Sequence, residues 1–344
     1  MIRLATTSPV QRRDHPEAAS LYPRYQAVGD ELQAMVTAHP DQCERVSLGK
    51  SYEGRDIWAL RVTDNVHADS SSKPAVVFTG GTHAREWATV TVPLSLAHNL
   101  VDGYGHDAAS TDRLKKSEVW IVPCVNPDGY EYSLTQDPMW RKNRDPIPPQ
   151  QLKEFPGGRA GVGVDLNRNY ASGSVADYRS ADDRPDNVSD DQGASDDPQD
   201  ESYRGLGPAS EPETQALTRL GARPNVKGWI DHHSYSQDVL YPENVQGNAA
   251  KPYQQVGALM EKAIQQAGGP DYQVIPTSDL YPTTGDSLVM MDEKGVPAMG
   301  FEIGDTFHPD QDERDLLNKA IPAADLVYLD WVLANQNPHA PAAA

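Results

Sequence analysis

A short, continuous apolar run, AVVFTG (75–80), and three strand-like segments, EVWIVPCV (118–125), VKGWIDHH (226–233) and PAMGFEIG (297–304), punctuate the chain. Runs of this length between polar segments predict strands buried on both faces. RVSLGK (45–50) and RDIWALRV (55–62) predict two more strands, joined by the turn SYEG. Helical spacing of apolar positions appears at 22–39, about 87–102, 210–222, 253–267 and 312–335. Ser210 and Glu213 stand at capping-box spacing, with the serine capping the first amides and the glutamate reaching back.

Buried strands alternating with helices predict a single α/β domain. Its centre is a mixed, mostly parallel β-sheet of about eight strands, flanked by helices on both faces. We expect this domain to span 21–336, between a polar N-terminal tail (1–20) and a short C-terminal tail (337–344). No internal repeat or linker divides it. Residues 174–204 are rich in Asp, Ser and Pro and poor in apolar residues, and predict an acidic surface insertion. A Ca2+ site is the sharper reading of that segment, but no DxDxDG loop is present.

Charge narrows the partners. The net charge of −20 repels phosphate backbones, so nucleic acid is not an expected partner. No run approaches the roughly 18–20 apolar residues of a membrane span. Cys124 lies in a buried apolar run, so a buried free thiol is expected in preference to a Cys43–Cys124 bridge. The first twenty residues have no apolar h-region and do not read as a signal peptide. They are also too few to fold as an activation domain over a cleft.

THAREW places His83 and Glu86 directly after the run 75–80. Sites in α/β sheets gather at the carboxyl ends of strands, and a hydrolytic zinc takes three protein ligands and leaves one position open. Alone, the pair is weak evidence, and a polar turn is then the better reading. A third donor is available at the end of 226–233, where His232 and His233 point to opposite faces, so that one faces the site and the other packs. Glu302 is an acid within an apolar strand, where an unpaired glutamate is rare.

The motifs THAREW, NPDGYEYS, MWRKNR, GVDLNRNY, HSYSQ, LYPTTGDS and FEIGDT follow one another from about residue 22 to 335. In their order and content the chain resembles the zinc metallocarboxypeptidase family. The likeness is to its carboxypeptidase A/B branch and to bacterial enzymes like carboxypeptidase T. The resemblance implies one Zn2+ per chain held by His83, Glu86 and His233, with Asp165 orienting His83. It implies Glu302 as general base and Arg144 as the group polarising the scissile carbonyl. Asn167 and Arg168 would grip the substrate's terminal carboxylate and Tyr281 would close over it. Arg85, Arg141 and Tyr235 would line the cleft, and the Ser234–Tyr235 peptide would be cis.

Such an enzyme is an exopeptidase acting on peptide or protein C-termini, expected as a monomer. The resemblance implies an extracellular location, while the absent h-region leaves a cytoplasmic one open. Leu288 occupies the position that separates apolar from basic specificity and implies release of large apolar or aromatic residues. Asp286 stands where A-type enzymes carry Gly and bacterial relatives of dual specificity carry Asp; it is equally readable as a turn former. Val289 and Met290 replace the usual DW, Asn244 is expected to narrow the pocket, and Gly300 to widen it. The competing readings are a zinc amidohydrolase of the same fold acting on acylated amino acids or cell-wall peptides, and a binding module that has lost catalysis. The first is not expected to carry the full set of Arg144, Asn167, Arg168 and Tyr281, and the second is expected to lose a metal ligand or the glutamate, all of which are kept here.

Overall fold

The computed structural model describes residues 18–147, 162–172, 193–281 and 283–334. The expected tails lie outside them except for residues 18–20, as does most of the acidic segment. One eight-stranded sheet runs β1 (Cys43–Lys50), β2 (Asp56–Val62), β4 (Glu118–Val122), β3 (Ala75–Thr79), β5 (Val226–His233), β8 (Ala298–Glu302), β6 (Asp238–Tyr241), β7 (Gln273–Pro276). Its centre, β4–β3–β5–β8, is parallel, and antiparallel pairs join β1 to β2, β2 to β4 and β6 to β8.

Strand alternation divides the core into two layers. Val76, Phe78, Ile230, Met299 and Phe301 face one side, packed by α1 (Tyr25–Ala38), α2 (Ala88–Gly103), α6 (Ala250–Gln266) and α8 (Gln311–Leu333). Ala75, Val77, Trp229 and Ala298 face the other, under α5 (Pro212–Gly221) and α7 (Ser287–Glu293). Two covered faces account for the nearly continuous apolar character of the central strands. Both cysteines are buried and free. No described helix is long and apolar enough to cross a membrane.

Elements that the apolar pattern does not reveal are the short ones. β6 and β7 have four residues each, α7 has seven, and α4 (Pro127–Thr135) contains Pro and Gly. α3 (Ala108–Lys116) buries only Ser110 and Leu114. The capping box is not formed. α5 begins at Pro212 with Glu211 as its N-cap, and the Ser210 hydroxyl donates to Glu211. Glu213 instead accepts the Tyr52 N–H at 3.0 Å.

The turn after β3 depends on two glycines. A Cβ on Gly80 would lie 2.0 Å from the Thr89 carbonyl oxygen, so only glycine lets β3 pass this close to α2. Gly81 has φ +63° and rests on Val90 and Cys124. The chain is thereby turned so that residues 82–87 cross the carboxyl end of the sheet.

Candidate active site

His83 and Glu86 lie on the loop after β3, His233 ends β5 and Glu302 ends β8, directly across the ladder from His233. His83 Nδ1 is 2.7 Å from Glu86 Oε1 and 3.0 Å from His233 Nδ1; His233 Nδ1 is 3.2 Å from Glu86 Oε2. The outer nitrogens each meet a carboxylate: His83 Nε2 lies 3.2 Å from Asp165 and His233 Nε2 lies 3.2 Å from Asp231. Burial alone would raise the Glu86 and Asp165 carboxyls. His83 and His233 hold Glu86 far below the usual range, and Arg141 and His83 do the same for Asp165. Glu302 goes the other way: burial and the Glu86 charge push it up to about 8.

His232 points to the opposite face, as strand alternation requires. It is fully buried, with Nδ1 2.7 Å from the Thr79 carbonyl and Nε2 3.1 Å from Asp325. The arginines depart from expectation. Arg144 was expected at the scissile carbonyl, but its guanidinium stacks on Tyr132 and Trp140, at 3.8 and 4.6 Å from the ring centroids, and lies 4.0 Å from Glu53. Arg141 takes the place at the cluster, with Nε 2.9 Å from Asp165 Oδ2 and Nη1 4.0 Å from Glu86. Two aromatic faces claim Arg144, and the buried acids claim Arg141.

Asn167, Arg168, Tyr281, Asp286, Leu288, Gly300, His233 and Glu302 line one cleft. Asn167 is set by Asp165, which accepts its backbone N–H, and by its own Oδ1, which accepts the Ser287 N–H. The Arg168 guanidinium lies 5.5 Å from the Tyr281 ring, and its Nη1 donates to the Asn167 carbonyl. Tyr281 is 44% and Tyr235 45% exposed. The Ser234–Tyr235 peptide is cis. Arg85 stacks on Phe307 and donates to Glu201 at 2.9 Å.

Asp286 caps α7: its carboxylate accepts the Val289 N–H at 2.9 Å and the Thr283 hydroxyl at 3.2 Å. Burial raises its carboxyl. Gly300 leaves room that Leu288 fills, since a Cβ there would stand 3.0 Å from Leu288 Cδ1. Asn244, expected to narrow this pocket, is exposed and turns its amide to Asp292.

Residues 28–312 match the family described as Peptidase M14, zinc carboxypeptidase. The chain belongs to that family. Mouse carboxypeptidase A4 is 31% identical over 291 residues, 83% of this chain and 63% of that protein. Metallocarboxypeptidase A of Trichophyton tonsurans is 30% identical over 276 residues, covering 78% and 59%. The chain thus spans about three-fifths of the length of these relatives. In fold it is similar to thrombin-activatable fibrinolysis inhibitor, with TM-score 0.78, 27% identity, and 91% of this chain and 75% of that one covered. The bovine form in complex with a tick carboxypeptidase inhibitor gives 0.75 at 26% identity, covering 92% and 99%.

The donor set of this zinc carboxypeptidase-family chain fits the ion. His83, Glu86 and His233 are the one group of three or more potential metal-binding His, Cys, Asp or Glu side chains among the described residues. Two imidazole nitrogens and a carboxylate are a usual zinc combination. The two Nδ1 atoms stand 3.0 Å apart beside the Glu86 carboxylate, an arrangement that a cation held between them would satisfy. Nothing among the described residues supports the Ca2+ expectation.

Three further residues of this zinc carboxypeptidase-family site, Asp231, Glu201 and Lys142, have no role implied by the motifs. Asp231 sits inside an apolar strand, where its i−2 spacing from His233 was the available signal. Glu201 and Lys142 tie the described end of the acidic segment to the Arg141 side of the site, where they line one groove with Arg141: Lys142 Nζ donates to the Pro198 and Asp200 carbonyls at 2.8 Å.

Proposed function

We propose that this protein is a zinc-dependent exopeptidase that releases single C-terminal residues from peptides. The observation that carries the reading is the joining of the His83–Glu86–His233 cluster and Glu302 to a cleft that also holds Asn167, Arg168 and Tyr281. Zinc, when bound by these three side chains, would supply a Lewis acid for the carbonyl and acidify a water. Glu302 takes the proton of the attacking water and delivers it to the leaving amine. Burial raises its carboxyl, and a cation on the neighbouring ligands would draw it back toward the carboxylate form that accepts the water's proton. Arg141 stabilises the developing oxyanion, and we assign it the part expected of Arg144. Asp165 holds His83 in the tautomer that presents Nδ1.

Recognition of the chain end rests on charge. Arg168 offers a planar fork to the terminal carboxylate, a match that lysine makes less well. Asn167 adds a donor, and Tyr281 covers the bound end. Leu240, Leu280 and Leu288 give the side-chain pocket an apolar lining, and Gly300 leaves its floor without a Cβ. We assign large apolar and aromatic residues as the preferred class. Asp286 keeps a carboxylate in the wall and admits Lys or Arg as a slower second class. The segment 193–204, fastened by Glu201 and Lys142, forms a rim on the Arg141 side of the site.

The test is a panel of N-blocked dipeptides ending in Phe, Leu, Arg, Lys and Glu, with and without chelator. Phe and Leu should be released fastest, Arg and Lys more slowly, and chelator should abolish all release. Asp286→Asn keeps the helix cap and should lower Arg release relative to Phe. No release from the zinc-loaded protein overturns the exopeptidase reading, and cleavage of acylated amino acids alone would favour the amidohydrolase. Faster release of Arg than of Phe overturns only the assigned preference.

A further inference from the structure

Both cluster histidines have a carboxylate on the outer nitrogen, and the two carboxylates differ in their other partners. Asp165 Oδ2 is paired with the guanidinium of Arg141 at 2.9 Å, while its Oδ1 serves both the Asn167 N–H and His83. Its charge is shared. Asp231 is fully enclosed by neutral donors: Oδ1 accepts the Thr79 hydroxyl at 2.7 Å, with the Thr82 hydroxyl at 3.5 Å, and Oδ2 accepts the Ser287 hydroxyl at 2.6 Å. The contact left over is His233 Nε2, 3.2 Å from Oδ2. Among the described residues, no lysine or arginine pairs with Asp231.

We infer that Asp231 is the positioning residue of His233, a second carboxylate–histidine pair that sets the third metal ligand as Asp165 sets the first. The inference rests on the zinc reading of the cluster. A hydrogen bond to the outer nitrogen fixes ring orientation and tautomer and raises ligand basicity, and losing one commonly costs 10- to 100-fold in metal affinity. Residues 231 and 233 lie on the same face of β5, so one strand supplies both ligand and carboxylate. The hydroxyls come from three places: Thr79 at the end of β3, Thr82 beside His83, and Ser287 at the start of α7. Asp231 therefore also ties the ligand-bearing loop and the pocket helix to the strand carrying His233.

Asn167 sharpens the argument. Its Oδ1 accepts the Ser287 N–H, which fixes the amide so that Nδ2 faces His233 Nε2 at 3.3 Å. With Nδ1 given to a metal, Nε2 carries a proton and no longer accepts from that amide. The Nε2–H then belongs to Asp231, and the Asn167 Nδ2 is released toward the substrate's terminal carboxylate. On this account Asp231 frees a substrate-binding group as well as orienting a ligand.

The experiment is zinc affinity by competition with a chromophoric chelator, on wild type, Asp231→Asn and Asp325→Asn. Wild type should bind one zinc tightly; if it binds none, the reading of the cluster fails and not merely the part given to Asp231. Asp231→Asn should bind zinc 10- to 100-fold more weakly and shift the d–d spectrum of the cobalt-substituted protein. Asp325→Asn removes a buried carboxylate from the other histidine, so it should lower Tm and leave zinc affinity unchanged. Wild-type affinity and cobalt spectrum in Asp231→Asn, or an equal loss in Asp325→Asn, would overturn the inference. A readout that needs no variant is the His233 Nε2–H proton in the NMR spectrum of the zinc-loaded wild type. It should appear downfield and exchange slowly, like that of His83; its absence while the His83 signal is seen also overturns the inference.

Discussion

Two arginines three residues apart divide the work of one loop, and their surroundings say how. Arg141 faces Asp165 and Glu86, while Arg144 lies between aromatic faces. Arg141→Ala should lower kcat by about 10²- to 10³-fold, the usual cost of an oxyanion donor. Arg144→Ala should leave kcat nearly unchanged and lower stability by about 1 kcal/mol, as expected for a lost cation–π contact. Steady-state kinetics with a blocked dipeptide and thermal melts of both variants check this, and the reverse pattern would restore the role to Arg144. The pair also shows where residue-level reading stops. Spacing in a loop without helix or strand period does not tell which guanidinium turns inward; the positions of Tyr132, Trp140 and Asp165 decide it. Glu302 was legible because a lone acid in an apolar strand is anomalous. Glu302→Gln should retain zinc and KM while kcat falls by about 10²- to 10⁴-fold, and a variant hydrolysing at the wild-type rate would remove Glu302 from the mechanism.

The elements legible in the sequence are those buried on two sides. β3, β5 and β8 are buried along nearly all their length, and each carries site residues at or just beyond its carboxyl end, so the sheet and most of the cluster could be read together. β7 is a four-residue edge strand, mostly half-buried, and leaves no such run. Asp231 was hidden for the opposite reason: its hydroxyl partners come from β3, the loop after β3 and α7, distant in sequence. The start of α5 shows a different limit. The capping-box spacing was present, but Pro212 sets the helix start and Glu213 is drawn under Tyr52 and Asn143. Burial pushes Glu213 up to about 7, with Glu211 beside it also about 7. The folded state then holds a proton that the unfolded chain has released, so stability falls as pH rises from the ordinary glutamate value to about 7. The slope is about 1.4 kcal/mol per pH unit for one such group over that window. Glu213→Gln should flatten this fall, raising Tm at pH 7.5 relative to wild type more than at pH 5. Equal effects at both pH values would show that Glu213 is ionised in the fold throughout.

Over the whole molecule, 50 acidic residues against 30 basic ones produce a field that no single contact near the cleft reveals. The rim brings part of it close: Glu201 projects beside Arg85 with its side chain 64% exposed, and Asp196 and Asp200 lie on the same segment. The negative field opposes the approach of any chain ending in a free carboxylate, and Arg168 and Asn167 act only at contact range. Positive charge upstream in the substrate should offset this repulsion. Such steering acts through association, and so through kcat/KM at low substrate concentration. Peptides with the same C-terminal Phe but two upstream Lys or two upstream Glu should therefore differ, with the Lys peptide about tenfold faster at 10 mM salt. Screening shortens the reach of the field from about 30 Å at 0.01 M to about 10 Å at 0.1 M. The ratio should accordingly shrink toward one by about 0.5 M salt, with kcat at saturation largely unaffected. A ratio that persists at high salt would instead assign the preference to direct contact with the rim, and Glu201→Gln would then lower it.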